Sequence, residues 1–261
     1  MTVFQAIILG LVQGLTEFLP VSSSGHLELG HHFLGIENSE NLTFSITVHA
    51  ATVLSTIVVF QSDIGKLIRA TLNFRRSEET RLLVLLLVSA IPVGIIGFFF
   101  RDQVETLFTG NLLLVGCCLL ITATLLAFAH FNRATSRGQI GFIHSIIMGL
   151  AQMVAVLPGI SRSGATIATG IIMGRDRKEV ARFSFLMVLI PILGAVFLDL
   201  LKGDFSNDMN LGPAALITGF IAAFLSGWAA CRLMIRMVTS GKLIYFSLYC
   251  LIIGLIAIFA G

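Results

Sequence analysis

Charged residues are scarce in this sequence. They make up 12% of its 261 residues, about half the fraction of a soluble domain, while 56% are hydrophobic and the mean hydropathy is +0.95. This balance excludes a soluble domain and predicts an integral membrane protein, whose main solvent is lipid. Nucleic acid is not an expected partner, because the net charge is only +3 and the Lys and Arg residues lie in short loops.

Common metal-binding and nucleotide-binding motifs are also missing. The sequence has no Cys-x-x-Cys, no His-Glu-x-x-His and no glycine-rich nucleotide loop. All four cysteines lie in apolar segments: Cys117, Cys118, Cys231 and Cys250. We therefore expect buried, unpaired thiols and no disulfide or cysteine metal site.

One segment of the sequence occurs twice. Residues 5–27 read QAIILGLVQGLTEFLPVSSSGHL and residues 144–166 read HSIIMGLAQMVAVLPGISRSGAT, at a constant offset of 139. A repeat of this length indicates two copies of one structural unit. The copies would be about 1–131 and 140–261, within a single membrane domain that covers 1–261.

Six apolar stretches have a length suited to spanning a bilayer, which takes roughly 20 residues. They are about 44–60, 82–100, 112–131, 183–201, 211–231 and 243–260. The two repeated segments, about 2–27 and 140–173, are interrupted in the middle by Pro, Gly and Ser. Either Pro20 and Pro158 kink ordinary spans, or each segment is a hairpin that enters the membrane and returns.

The distribution of Lys and Arg favours the hairpins. Fourteen of the 17 lie in four segments, which the positive-inside rule assigns to the cytoplasm: 61–81, 132–139, 174–182 and 232–242. Since 132–139 and 174–182 then lie on the same side of the membrane, the segment between them cannot cross. The same argument places both ends of residues 1–43 outside, so the first segment also enters and returns. The sequence predicts an all-α integral membrane protein, an inverted repeat of two halves with six transmembrane helices plus two re-entrant helical hairpins that meet near the midplane.

The first hairpin has a carboxylate and an imidazole near its tip. Gln13 and Glu17 share one helix face, and an ionisable group in an apolar segment indicates a functional site. Glu17 could bind a divalent cation or act as a base. Ser23 and His26 are three residues apart, a spacing suited to a nucleophile and its base or to a phosphate-binding pair.

The second hairpin has Arg162 at the equivalent place. An unpaired Arg at mid-membrane costs several kcal/mol, so it needs an anion, either Glu17 or a phosphate, which its planar fork suits. The small residues around both tips either cap helices or contact a ligand: Ser22, Ser24, Gly25, Ser161, Ser163, Gly164 and Thr166. Together, the side chains at the two tips fit phosphate chemistry on a lipid headgroup or a permeating anion.

Other polar residues have simpler interpretations. His49 lies in a predicted span, where it either hydrogen-bonds across helices or lines a cavity. A further set is expected in a solvated outer loop without chemistry: Glu28, His31, His32, Glu37 and Glu40.

The segments GLVQGLTEFLPVSSSGH and LPGISRSGAT resemble the two signature segments of the bacterial undecaprenyl-diphosphate phosphatases of the bacitracin-resistance type. The resemblance covers essentially the whole chain. It implies hydrolysis of undecaprenyl diphosphate to the monophosphate and inorganic phosphate, which recycles the lipid carrier of peptidoglycan synthesis. It also implies a place in the bacterial cytoplasmic (inner) membrane, a role in cell shape and bacitracin resistance, and a divalent cation, expected to be Mg²⁺.

The resemblance also assigns residues. The signature's Glu or Gln and its Glu fall on Gln13 and Glu17, the expected metal ligands, so this chain has one carboxylate where a relative can have two. The catalytic residues would be Glu17, Ser23, His26 and Arg162, with Ser23 as the nucleophile assisted by His26, or with His26 as the nucleophile. The small residues listed above would bind substrate.

A transporter is the competing function. Inverted repeats with broken helices also build secondary transporters, so a prenyl-phosphate flippase or an anion carrier could use the same groups without cleaving a bond. The expected partners are a polyprenyl diphosphate and the bilayer, with a second copy of the chain as a further candidate. The active site is expected to open toward the outer face.

Overall fold

The computed structural model describes residues 1–36, 41–72, 77–100, 103–104, 106–107, 111–132, 138–194 and 212–260. These residues are predominantly helical and contain no strand. The helices are α1 (Val3–Phe18), α2 (Ser23–Leu34), α3 (Asn41–Val59), α4 (Gln61–Leu72), α5 (Glu78–Phe99), α6 (Leu112–Phe131), α7 (Phe142–Val154), α8 (Arg162–Ile172), α9 (Arg177–Met187), α10 (Pro213–Thr239) and α11 (Ile244–Ala260).

The first repeated segment is two helices with a break at Pro20. Leu19 has extended backbone angles (φ −67°, ψ 143°), as expected for a residue before proline, so α1 ends at Phe18. Ser22 then caps α2, its hydroxyl accepting from the backbone N–H of Gly25 at 3.3 Å. Ser22 has φ +69°, an uncommon conformation for a residue with a Cβ, and such strain concentrates at functional sites.

The second repeated segment breaks in the same way around Pro158. Helix α7 ends at Val154, and Ser161 caps α8 by accepting from the N–H of Gly164 at 3.0 Å. Gly159 has φ +96°, and a Cβ there would lie 2.4 Å from the carbonyl oxygen of Val115 in α6. Glycine is therefore required at this turn both by its backbone angle and by the close approach of α6.

The tips of the two broken segments touch through equivalent residues. A Cβ built on Gly25 would lie 3.2 Å from the Cα of Gly159, and one built on Gly164 would lie 3.3 Å from the Cβ of Pro20. With the offset of 139, Gly25 corresponds to Gly164 and Pro20 to Gly159. The two contacts are thus the same contact made twice, as a pseudo-two-fold relation between the repeats would produce.

The first helix of each repeat packs on the long helix of the other repeat. Helix α1 packs on α10, where a Cβ on Gly10 would lie 2.4 Å from the carbonyl oxygen of Gly219. Helix α7 packs on α5, where a Cβ on Gly149 would lie 2.5 Å from the carbonyl oxygen of Ser89. Small residues allow such close approach between membrane helices. Because α1 and α7 each pack on a helix of the other repeat, this packing holds the two tips together.

Three described helices are long and apolar enough to cross a membrane: α5, α6 and α10. They correspond to the predicted spans 82–100, 112–131 and 211–231, although α10 continues to Thr239. Helices α3 and α4 pass the same test as a pair, and α1, α7 and α11 are shorter apolar helices. The predicted span 183–201 includes a turn at Val188 between α9 and helical residues 189–194, and its remainder lies outside the described residues.

Two predicted loops are partly helical. Residues 23–34 form α2, so the stretch expected to be a solvated outer loop is helical through Leu34 and His31 is buried; Glu37 and Glu40 lie outside the described residues. The predicted loop 61–81 begins with α4, which bends 79° away from α3. An ion pair between Asp63 of α4 and Arg182 of α9 (2.6 Å) ties this bend to the second repeat.

The main apolar core lies around the junction of the two repeats. Phe185 packs its ring against those of Phe18 and Phe60, with centroids 6.0 Å apart in both pairs. Many large apolar side chains elsewhere are exposed, which suits a surface in contact with lipid. The cysteines are unpaired as expected, but Cys117 is exposed on this surface.

Candidate active site

The site is built around the carboxylate of Glu17, in the last turn of α1. Its side chain is 8% exposed. The hydroxyl of Ser23 donates to Oε2 at 2.5 Å, and the amide Nε2 of Gln13 donates to the same oxygen at 3.0 Å. Arg162 donates from Nη2 to Oε1 at 2.9 Å. Glu17 is therefore a paired, hydrogen-bonded buried carboxylate, the form in which such a group is tolerated away from water.

Ser23 and Arg162 reach Glu17 from equivalent positions. Each is the first residue of the second helix in its broken segment. The N-terminal ends of α2 and α8 carry the positive ends of their helix dipoles, which favour nearby negative charge. The arrangement can accept a proton from a hydroxyl and hold an anion beside it.

Arg162 keeps binding capacity after pairing with Glu17. Its side chain is 28% exposed, and within the described residues the guanidinium makes no hydrogen bond other than the one from Nη2. The remaining N–H groups can bind phosphoryl oxygens. The sequence left open whether Glu17 or a phosphate neutralises this Arg, and the geometry allows both at once.

His49 of α3 is also close to the carboxylate. Its Nδ1 donates to the carbonyl oxygen of Ser45 at 2.8 Å, and its Nε2 lies 3.9 Å from Oε2 of Glu17. Within the described residues, His49 makes no hydrogen bond to another helix, so the structure does not bear out that interpretation, but it places the imidazole near Glu17. The sequence signal was the polar pair Ser45 and His49 on one face of an apolar helix.

His26 belongs to a separate set of hydrogen bonds at the site, with Ser22 and Tyr249. Its Nδ1 must donate to the carbonyl oxygen of Ser22 (2.8 Å), since a carbonyl can only accept, which leaves Nε2 to accept from the hydroxyl of Tyr249 at 2.8 Å. The two rings stack with centroids 5.5 Å apart. Ser23 donates its hydroxyl to Glu17 and has no hydrogen bond to His26 within the described residues. Sequence reasoning did not single out Tyr249, which lies 223 positions from its partner.

The remaining small residues at the tips bond mainly to the chain itself. Ser22 and Ser161 cap α2 and α8, and each also lies within hydrogen-bonding distance of the serine two residues on, Ser24 at 3.2 Å and Ser163 at 3.3 Å. Thr166 donates to the carbonyl oxygen of Arg162 at 2.9 Å. Capping thus accounts for Ser22 and Ser161, and the serine pairs leave hydroxyls that a ligand could engage.

A cavity of about 20 Å³ lies next to the carboxylate and the guanidinium. Its polar lining includes Glu17, Arg162, Gln152 and Ser184, and its apolar lining comes mostly from α3, α9 and residues 188–192. Neither Gln152 nor Ser184 belongs to the predicted site. Each could have been suspected as the repeat equivalent of a polar residue of the first copy.

This chain could supply only some of the ligands that a metal ion needs. The described residues contain no cluster of three or more His, Cys, Asp or Glu side chains arranged for a metal ion. Gln13 is fully buried, however, and its Oε1 has no hydrogen-bond partner within the described residues. This free amide oxygen beside Glu17 fits a Mg²⁺ ion, which commonly takes one or two protein oxygens together with phosphate oxygens and water.

Comparison with known proteins shows the family of this chain. The family model of the bacitracin resistance protein BacA matches residues 6–256. The chain is 50% identical over 258 residues to the undecaprenyl-diphosphatase of Bacteroides fragilis, covering 98% of this chain and 97% of the relative. It is 50% identical over 260 residues to that of Parabacteroides distasonis (99% and 98% covered) and 37% identical over 279 residues to that of Methanobrevibacter smithii (100% and 98% covered). The chain is a multi-pass membrane protein that belongs to the bacitracin resistance protein BacA family.

Proposed function

We propose that this protein hydrolyses undecaprenyl diphosphate to undecaprenyl phosphate and inorganic phosphate. The observation that carries the proposal is the bonding of one buried carboxylate, Glu17, to a hydroxyl and to a guanidinium, those of Ser23 and Arg162. Membership of the BacA family and relatives named undecaprenyl-diphosphatase support the same activity. The reaction returns the lipid carrier of cell-wall synthesis to its monophosphate form.

In the proposed first step, Ser23 attacks the terminal phosphorus. Its hydroxyl proton passes to Glu17 along the 2.5 Å hydrogen bond, an Oγ–P bond forms, and the bond from phosphorus to the bridging oxygen breaks. The lipid monophosphate leaves with that oxygen, and its tail stays in the bilayer. Arg162 balances the charge on the phosphoryl oxygens, the main task of a protein in phosphoryl transfer.

In the second step, water attacks the phosphorus of the phosphoserine and the Oγ–P bond breaks. Ser23 Oγ takes back the proton that Glu17 holds, and inorganic phosphate is released. His26 is the proposed proton carrier here, because its Nδ1–H is held by a carbonyl and its Nε2 remains basic. Tyr249 can donate to neutral Nε2 or accept from protonated Nε2, so the imidazole stays hydrogen-bonded in both states. His26 as the nucleophile is the alternative assignment.

The two helix N-termini bind the phosphates in this proposal. Hydroxyls and backbone N–H groups near such termini suit anions, and the residues concerned are Ser22, Ser24, Gly25, Ser161, Ser163, Gly164 and Thr166. Glu17 and the amide oxygen of Gln13 would hold a Mg²⁺ ion, which would supply positive charge to the diphosphate. The buried, unpartnered Oε1 of Gln13 supports this assignment.

The proposed topology has six transmembrane helices and two re-entrant hairpins, one made by α1 and α2 and one by α7 and α8. The Lys and Arg distribution and the matched contacts of the two tips support it. In the bacterial inner membrane the site would open toward the outer face, where the released phosphate departs into water.

The test is phosphate release by purified full-length protein from undecaprenyl diphosphate. We expect release in the wild type, loss in Ser23→Ala, and retention in the matched control Thr2→Ala, which removes a hydroxyl far from the tips. The transporter alternative predicts movement of lipid across a vesicle bilayer without release of phosphate, and that result would reject the proposal.

A further inference from the structure

Two buried polar side chains beside the site lack a hydrogen-bond partner. Gln152 is 1% exposed and Ser184 is 3% exposed, and within the described residues neither Nε2 of Gln152 nor Oγ of Ser184 has a partner. Burial of an unpaired polar group costs stability, and native proteins contain few of them. A pair of them at one place indicates that something other than stability keeps them there.

Both side chains line the cavity that also touches Glu17 and Arg162. The cavity, at about 20 Å³, has room for about one oxygen-sized group. The neighbouring hydroxyl of Thr166 already donates to the carbonyl oxygen of Arg162. The hydroxyls of Thr52, Thr56 and Ser163, which also line the cavity, donate to backbone carbonyls as well. The buried polar atoms of the lining that have no partner within the described residues are therefore Nε2 of Gln152 and Oγ of Ser184, which lie beside the remaining N–H groups of Arg162.

The amide of Gln152 has an equivalent in the first repeat that bonds to a carboxylate. With the offset of 139, Gln152 corresponds to Gln13, whose Nε2 donates to Glu17. The residue equivalent to Glu17 in the second repeat is Val156. The second repeat thus has the equivalent of the donor but not of its acceptor.

The hydroxyl of Ser184 also has an equivalent in the first repeat. Ser184 corresponds to Ser45, which lies beside His49 in the first repeat, and the equivalent of His49 is Val188. The second repeat keeps two neutral hydrogen-bonding groups and has no ionisable group at these two positions. A ligand oxygen in the cavity would supply both groups with a partner.

We propose that Gln152 and Ser184 bind one phosphoryl oxygen next to Arg162. The N–H groups of Gln152 and Arg162 can only donate, so a group bound between them must be an acceptor, and the positive charge of Arg162 would repel a metal cation there. A phosphoryl oxygen is an acceptor of the right size, and its charge is balanced by Arg162. The inference rests on the proposed function in taking the oxygen from the lipid diphosphate or from the inorganic phosphate that is released.

The test uses Gln152→Met and Ser184→Ala in the full-length protein. We measure KM for undecaprenyl diphosphate, inhibition by inorganic phosphate, and Tm with and without phosphate. Loss of one hydrogen bond to a charged ligand should weaken binding roughly tenfold. Because each variant removes an unpartnered polar group, Tm without phosphate should stay the same or rise.

The matched control is Ser145→Ala. Ser145 lies on the same helix as Gln152 and is fully buried, but it donates to the carbonyl oxygen of Leu85. This variant should lower Tm and leave KM and phosphate inhibition unchanged.

The three readouts separate the outcomes. A higher KM assigns the oxygen to the lipid diphosphate, whereas weaker phosphate inhibition at unchanged KM assigns it to the released phosphate. Unchanged values of both in the two variants would overturn the inference, and a lower Tm with unchanged binding would identify a structural role. The rise in Tm with phosphate measures binding and does not need turnover. It therefore tests this inference even if the proposed hydrolysis fails.

Discussion

Ser23 and Arg162 bind the two different oxygens of one carboxylate, although they lie 139 residues apart in the chain. Ser23 donates to Oε2 of Glu17 at 2.5 Å and Arg162 donates to Oε1 at 2.9 Å. The two residues are equivalent in the repeat alignment, while Glu17 has Val156 as its equivalent. A duplicated fold has therefore brought two different side chains to an acidic residue that only the first copy has.

Arg162→Ala should lower kcat by roughly 10²–10³, since removal of one group that stabilises transition-state charge typically costs that much. It should also lower stability, because the buried Glu17 loses its ion-pair partner, which costs roughly 3–5 kcal/mol. Arg162→Lys should remain poor because a point charge replaces a planar fork.

The double variant Glu17→Gln, Arg162→Ala separates the two effects of Arg162. It removes the unpaired charge, so its Tm should recover toward the wild type while its activity stays low. Near-normal turnover in Arg162→Ala would show that the guanidinium serves only as the partner of Glu17.

Chelation should abolish activity, and Mg²⁺ should restore it. Gln13→Leu should raise the Mg²⁺ concentration needed for half-maximal activity because it removes the amide oxygen, and Gln13→Glu should lower it by supplying a second carboxylate. Activation curves after treatment with EDTA measure both shifts. Full activity of the wild type in EDTA would leave Glu17 as a base and as the partner of Arg162, without a metal.

Tyr249→Phe should lower kcat with little change in KM. The variant keeps the ring that stacks on His26 but removes the hydroxyl that holds Nε2, so we expect a fall of roughly tenfold or more, part of what a positioned proton carrier contributes. Tyr245→Phe is the control, since Tyr245 lies on the same helix, is exposed and has no hydrogen bond within the described residues. Equal activity of both variants would remove Tyr249 from the mechanism.

The re-entrant topology predicts which face labels single cysteines. In a background without the native cysteines, Gln139→Cys and Lys178→Cys flank the second broken segment and should both react with an impermeant thiol reagent from the cytoplasmic side. His32→Cys should react from outside. Reaction of Gln139→Cys and Lys178→Cys from opposite faces would show that the segment crosses the membrane.

The sequence was sufficient to predict the features that depend on local pattern. Proline followed by a small-residue cluster predicted the breaks after α1 and α7 at Pro20 and Pro158. Apolar length predicted α5, α6 and α10. Because an Arg within the membrane needs an anion, the sequence predicted that either Glu17 or a phosphate would pair with Arg162, and the structure shows the contact with Glu17.

Other features depend on packing between distant segments and leave little local signal. The contact of His26 with Tyr249 joins the first repeat to the last helix, and no local spacing encodes it. The 79° bend between α3 and α4 has no proline to mark it. Helix α2 continues through His31, whose side chain is buried, whereas its polarity alone suggested a solvated loop.

Trapping of the phosphorylated enzyme tests the central claim most directly. Substrate labelled in its terminal phosphate should give, on rapid acid quenching, an acid-stable phosphoserine that maps to Ser23, is lost in Ser23→Ala and persists in Thr2→Ala. An acid-labile, base-stable adduct that survives in Ser23→Ala would contradict the account and assign the attack to His26, and hydrolysis without any adduct in the wild type would assign it to water.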